Sequence, residues 1–110
     1  MVIEIPFTLV DEDGDVAGAG VEALLTYNGG TVCDDYFSDN AATAICREMG
    51  FPGAESWSSG QRYDGQSSMQ IALDDVDCSS DGWESCSYTT EHNCGHSEDI
   101  FLHCSGNCLQ

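Results

Sequence analysis

Residues 30–51 read GTVCDDYFSDNAATAICREMGF, and this run holds a strand, a turn and a helix in succession. Thr31-Val32-Cys33 is rich in β-branched character and starts a strand. Ser38 or Asp39 can accept a hydrogen bond from the unpaired N–H groups of a helix start, and Gly50 suits the left-handed position past a helix end. The spacing therefore predicts a helix over 39–49. Within it Ala41, Ile45 and Met49 lie four residues apart on one buried stripe, with Cys46 beside them where it can be stapled into the core.

On the N-terminal side, Asn28-Gly29-Gly30 tolerates positive φ and marks a hairpin turn. VEALLTY at 21–27 reads as a strand leading into it, although its Ala and Leu also allow a helix. VIEIPFTLV at 2–10 reads as one or two short strands, and DEDGD at 11–15 is a turn by composition. The first ten residues carry Glu4 and Pro6 with no basic region before them, a poor signal peptide and a good first strand. On the C-terminal side, 51–66 is rich in Gly and Ser and reads as a long loop. Ser68–Leu73 alternates loosely as a strand, a polar Cys-rich segment follows, and Ile100–His103 reads as a last short strand with His103 facing solvent. The expectation is one α+β domain over 1–110, its core at about 5–106 and a short tail at 107–110.

Twenty acidic residues stand against two basic ones, Arg47 and Arg62, for a formal net charge of −18. Such a surface repels nucleic acid, whose binding needs Lys and Arg against phosphate, and no apolar run is long enough to insert in a membrane. Seven cysteines in 110 residues indicate a disulfide framework made in an oxidising compartment. Six cysteines alone admit 15 connectivities; only Cys78 and Cys86 are paired by their short intervening loop. Seven is an odd count, so one cysteine is left over, pointing to an intermolecular bridge, a partner lost by truncation, or a free thiol.

Four blocks carry a family resemblance: Gly30–Asp35, Ile45–Phe51, Leu73–Cys78 and His92–Asp99, followed by Leu102-His103-Cys104-Ser105-Gly106. In order and approximate spacing they resemble scavenger receptor cysteine-rich (SRCR) domains of the six-cysteine subgroup. The resemblance implies a curved antiparallel sheet cradling one main helix, with Cys33 bridged to Cys94, Cys46 to Cys104 and Cys78 to Cys86. Two departures stand out. The family often carries a Trp before the Gly-Thr-Val-Cys block, absent here, and Tyr36-Phe37 replaces the usual Gly-Trp.

Matching positions in several SRCR domains form a cation site, which carries over to Asp34, Asp35 and Glu98. A second, weaker set carries over to Asp74, Asp75 and Asn93. Oxygen donors held by one staple suit Ca²⁺, with Mg²⁺ as the other candidate; a few carboxylates leave part of a six- to eight-oxygen shell for water or ligand. The competing reading is that these side chains only satisfy backbone donors in loops. Asp11, Asp13, Asp15 and Glu22 fall at EF-hand-like spacing, but Val16 stands where glycine is needed and strands flank the loop, so a solvated hairpin turn is the better reading. His92, Cys94 and His96 could hold zinc only if Cys94 were free, and hydrogen bonding by the imidazoles is the preferred reading.

No nucleophile elbow such as G-x-S-x-G is present, and no Asn-x-Ser/Thr acceptor occurs. The chain is expected to be a binding module and not an enzyme: secreted, or the extracellular part of a membrane receptor. It would reach anionic polysaccharide, lipid or protein ligands through its bound cation, since two arginines cannot form the basic cluster some relatives use. Two rivals remain. One is an acidic matrix or mineral-associated protein linked into a disulfide dimer through Cys108; the other is a metal-independent protein–protein module of a larger mosaic receptor.

Overall fold

The computed structural model describes residues 6–106, so Cys108 and the start of the 2–10 segment lie outside the described residues. Seven strands are laid down around one helix: β1 (Phe7–Val10), β2 (Glu22–Tyr27), β3 (Gly30–Val32), α1 (Asp39–Glu48), β4 (Ala54–Ser59), β5 (Ile71–Cys78), β6 (Cys86–Thr89) and β7 (Ile100–Cys104). They form one curled sheet in the order β4-β7-β2-β3-β5-β6, with β1 also on β2. Among the described strands every pairing is antiparallel except β3 with β5, which run parallel within the expected curved, mainly antiparallel sheet.

The segment 21–27 resolves as strand: Leu24 pairs with Val10 on one side and Phe101 on the other. The Asn28-Gly29 turn forms as expected, with φ of 50° and 86°. The next residue, Gly30, cannot be larger, because a Cβ there would lie 2.8 Å from Ala72 Cβ and 2.9 Å from the Gln70 carbonyl.

Ser38 caps α1, its hydroxyl accepting from the Ala41 N–H at 3.3 Å. The buried face is wider than the predicted stripe, comprising Ala41, Ala42, Ala44, Ile45 and Cys46, while Met49 sits half-buried at the C-cap. Small side chains let the helix lie close against the sheet, where Leu25, Val32, Leu73, Val76, Ile100 and Leu102 complete the core.

Two sequence expectations are corrected. The region 51–66 is not one long loop: β4 pairs with β7 along the sheet edge, and a 3-10 turn follows at Asp64–Ser68. The strand escapes detection because Ala54–Ser59 has small polar residues around a single anchor, Trp57. That indole packs edge-on against Phe37 at 4.9 Å and donates to Asp39 Oδ1 at 3.0 Å. In the polar Cys-rich segment after Leu73, strand structure extends further than the sequence marked. β5 runs on to Cys78, and β6 returns along it with Cys78 opposite Cys86. His103, expected to face solvent, is half-buried.

Three disulfides are present, Cys33–Cys94, Cys46–Cys104 and Cys78–Cys86, the pairing the resemblance implied. Cys46–Cys104 ties α1 to β7 wholly inside the core. Cys33–Cys94 ties the end of β3 to the loop before β7, and an isolated bridge between Cys33 and Asp99 repeats that tie through the backbone.

Candidate cation site

Cys33 is fully buried and Phe37 nearly so, which pins both ends of the segment between them. The Phe37 N–H donates to the Asp34 carbonyl at 3.1 Å, closing a tight turn with Tyr36 at φ 62°. A positive φ at the third turn position is where glycine is usual. Here the residue is a tyrosine, 70% exposed, in the place where the family pattern has Gly. The turn holds Asp34 and Asp35, both half-buried, beside the Cys33–Cys94 bridge.

Glu98 reaches the same bridge from a 3-10 turn at His96–Glu98. Its Oε1 lies 3.5 Å from Cys33 Sγ, and its Oε2 accepts from the Gly95 N–H at 3.4 Å. Ligand atoms of Asp34, Glu98 and Cys33 fall within 4.8 Å of one another. Asp35 belongs to a different group: its carboxylate and that of Asp74 converge, also within 4.8 Å, beside both sulfurs. The two sets drawn from the sequence are therefore regrouped. Asp34 stays with Glu98, and Asp35 joins Asp74, a buried residue of β5.

The β5–β6 ladder is irregular between Asp74 and Asp77, and Asp75 within it has φ 56°. Such an interruption re-aims side chains next to a site. Asp74 Oδ1 accepts from the Asp75 N–H at 2.7 Å, so that oxygen is engaged locally, as the loop-satisfying reading expects. Asp75 and Asn93 do not join either carboxylate group. They line an open cleft of ≈ 630 Å³ together with Asp35, Asp74, Tyr36 and Glu91. Tyr36 and Glu91 were not drawn from the sequence; the only signal for Tyr36 was its replacement of a glycine.

Both outer carboxyls are perturbed. Asp35 is pushed above the ordinary carboxylate range by desolvation first, then by the charges of Asp74, Glu98 and Asp34. Asp75 is raised by desolvation and by Asp74. Asp35 thus feels both groups at once, which is the electrostatic signature of crowded like charge. The sulfurs are spent in the disulfide, leaving carboxylate oxygens as the donors, and that donor set fits a hard divalent ion.

The other two candidate sets do not form sites of the kind considered. His96 Nδ1 faces Asp99 Oδ2 at 2.8 Å and its Nε2 faces the Met69 carbonyl at 3.1 Å, while Cys94 is oxidised, so the zinc arrangement is excluded. His92 accepts from the Cys94 N–H at 3.3 Å. Glu22 pairs with Arg62 and accepts from Ser58 instead of turning to the Asp11–Asp15 loop, which is a hairpin turn closed by a Val10–Val16 bridge.

The family profile described as the scavenger receptor cysteine-rich domain matches residues 12–105. Lysyl oxidase homolog 2 of Xenopus laevis is 40% identical over 95 residues, covering 77% of this chain, and its Xenopus tropicalis counterpart is 39% identical over the same share. The chain spans only 12% of the length of these relatives. The dimeric form of the SRCR domain of mouse MARCO superposes with a TM-score of 0.55 at 30% identity, covering 83% of this chain and 93% of that one. No helix among the described residues is long and apolar enough to cross a membrane. With the profile spanning nearly the whole fold and the three bridges in place, this chain belongs to the scavenger receptor cysteine-rich domain family of extracellular ligand-recognition modules.

Proposed function

We propose that this domain recognises its ligand through a divalent cation, Ca²⁺ or Mg²⁺, held at the Cys33–Cys94 bridge by Asp34 with Glu98 and by Asp35 with Asp74. Asp75 and Asn93 border the second pair. The observation that carries this reading is convergence: four carboxylates from three separate segments meet at one disulfide. The chain's two arginines are both elsewhere, Arg47 on Asp81 and Arg62 on Glu22. Carboxylates gathered this closely repel one another, and a bound cation relieves that repulsion. Side chains fill only part of the coordination shell, and the remaining positions are open to oxygens of an anionic polysaccharide, lipid or protein. The chain's own residues fix the carboxylates, with the Cys33–Asp99 bridge and the Asp34–Phe37 turn holding their backbones. This reading places the domain in a secreted protein or the outer part of a receptor.

Calorimetric titration of Ca²⁺ into chelator-stripped, oxidised protein tests it. One or two stoichiometric sites are expected, one lost in Asp34→Asn/Glu98→Gln and the other in Asp35→Asn/Asp74→Asn. Weak, unsaturable heats identical in all three proteins would refute it.

A further inference from the structure

A second concave surface lies away from the carboxylate–disulfide site, between the β1–β2 loop and the 3-10 turn Asp64–Ser68. It has a volume of ≈ 330 Å³; Leu24, Tyr63 and Met69 contribute its floor, and Asp11, Glu12 and Asp13 its lip. The apolar part is structurally set: Leu24 is 1% exposed in the middle of β2, and the Tyr63 ring packs edge-on against Phe101 at 5.1 Å. Gln66, fully buried, holds the 3-10 turn in place, its Oε1 accepting from the Arg62 and Tyr63 N–H groups at 2.8 and 2.7 Å. The cleft is therefore a standing feature between two anchored elements.

Its electrostatics are one-sided. The carboxylates of Asp11, Asp13 and Asp15 come within 4.8 Å of one another. The chain contains no lysine, and its two arginines pair with Asp81 and Glu22, so neither forms an ion pair with the lip carboxylates. The Tyr63 phenol registers this field: burial raises it above its ordinary range, and Asp11 and Glu12 raise it further against a smaller opposing effect of Arg62.

We infer that this cleft docks a basic side chain of a polypeptide partner, its aliphatic stem on Tyr63 and Met69 and its cationic head among Asp11, Glu12 and Asp13. Long cationic side chains bury their methylenes on apolar surface while keeping the charge at a polar edge, and a nearby aromatic ring adds attraction for the cation. Charge complementarity selects this occupant over a neutral apolar one. The apolar floor selects it over a bare metal ion, which would gain nothing from Tyr63 or Met69. Asp11 Oδ1 is moreover already taken by the Asp13 and Asp15 N–H groups at 2.9 and 3.0 Å.

The test is an amide chemical-shift titration of chelator-stripped, ¹⁵N-labelled protein with Nα-acetyl-lysine-N-methylamide, beside its uncharged norleucine counterpart. Saturable shifts confined to Asp11–Gly14 and Tyr63–Met69 are expected with the lysine probe and not with norleucine. In Glu12→Gln/Asp13→Asn, shown folded by its dispersed spectrum, affinity should fall about ten-fold, as loss of two exposed charge contacts implies. Equal binding of norleucine, or no shifts with either probe, would overturn the inference. So would displacement of the lysine probe from Asp11–Gly14 by stoichiometric Ca²⁺, which would make the loop a metal site.

Discussion

The two long disulfides enclose almost the same length of chain, 61 residues for Cys33–Cys94 and 58 for Cys46–Cys104, whereas Cys78–Cys86 encloses 8. This allows the covalent and packing parts of their stabilisation to be separated. Loop-closure entropy grows with the logarithm of the enclosed length, so the two long bridges each contribute about 4.2 to 4.3 kcal/mol at 25 °C and the short one about 2.5 kcal/mol. Replacing each pair with alanines should therefore rank the short bridge as the mildest loss. The long bridges differ in burial: Cys46 and Cys104 are both fully buried, but Cys94 is only half-buried. Removing Cys46–Cys104 leaves a void between α1 and β7, which adds about 1 to 2 kcal/mol to its loss.

The assay is urea unfolding of the three double-alanine variants in chelator, fitted for both free energy and slope. A domain of this size has about 5 to 15 kcal/mol in total, so the Cys46→Ala/Cys104→Ala variant needs sucrose or another excluded osmolyte to populate its native baseline. The expected order of loss is Cys46–Cys104, then Cys33–Cys94, then Cys78–Cys86. Equal losses for the short bridge and either long one would refute the entropic reasoning. Equal losses for the two long ones would refute the packing term.

Two further predictions concern the carboxylate face. Because Asp35 and Asp75 are raised in the folded protein, the native state binds protons more tightly than the unfolded chain in the mildly acidic range. In chelator, their contribution must therefore lower stability as pH rises from the ordinary aspartate range through the raised values. Ca²⁺ binding should weaken in the opposite direction, as pH falls through that range; midpoint denaturation and calorimetry against pH check both signs, and an affinity flat across it would count against Asp35 as a ligand. Tyr36→Gly should relieve a left-handed φ costing about 1 to 2 kcal/mol and return about 0.5 to 1 kcal/mol through unfolded-chain freedom. The net effect is a small stabilisation, read by urea unfolding, and a clear destabilisation would show that the tyrosine ring makes contacts of its own.

The helix, the hairpin turn and the family were legible because each rests on local chemistry. Ser38 and Gly50 bracket α1, and Asn28-Gly29 can take positive φ. The family stood on four blocks in register. What was not legible is non-local. β4 exists because Ala54–Ser59 finds β7 and because Trp57 finds Phe37 and Asp39, partners far along the chain. The regrouping of the acidic residues has the same origin. Adjacent aspartates read as one unit in sequence, but Asp34 groups with Glu98, and Asp35 with Asp74, which the parallel pairing of β3 with β5 brings alongside. Asp75 pointed to a ligand by its position in a motif, yet its backbone serves to engage an oxygen of Asp74.

Charge and covalent frame are connected. A net charge of −18 on 110 residues opposes compaction through self-repulsion, and at Cys33–Cys94 four carboxylates gather in two neighbouring groups. A noncovalent loop would relax by moving the acidic segments apart. Here the bridge and the Cys33–Asp99 pairing oppose that movement, and Asp35 is raised by desolvation first and then by the neighbouring charges. The same logic accounts for the location of the arginines. Both are paired with acids distant from the bridge, so the field at Asp34, Asp35, Asp74 and Glu98 is left for something outside the chain to neutralise.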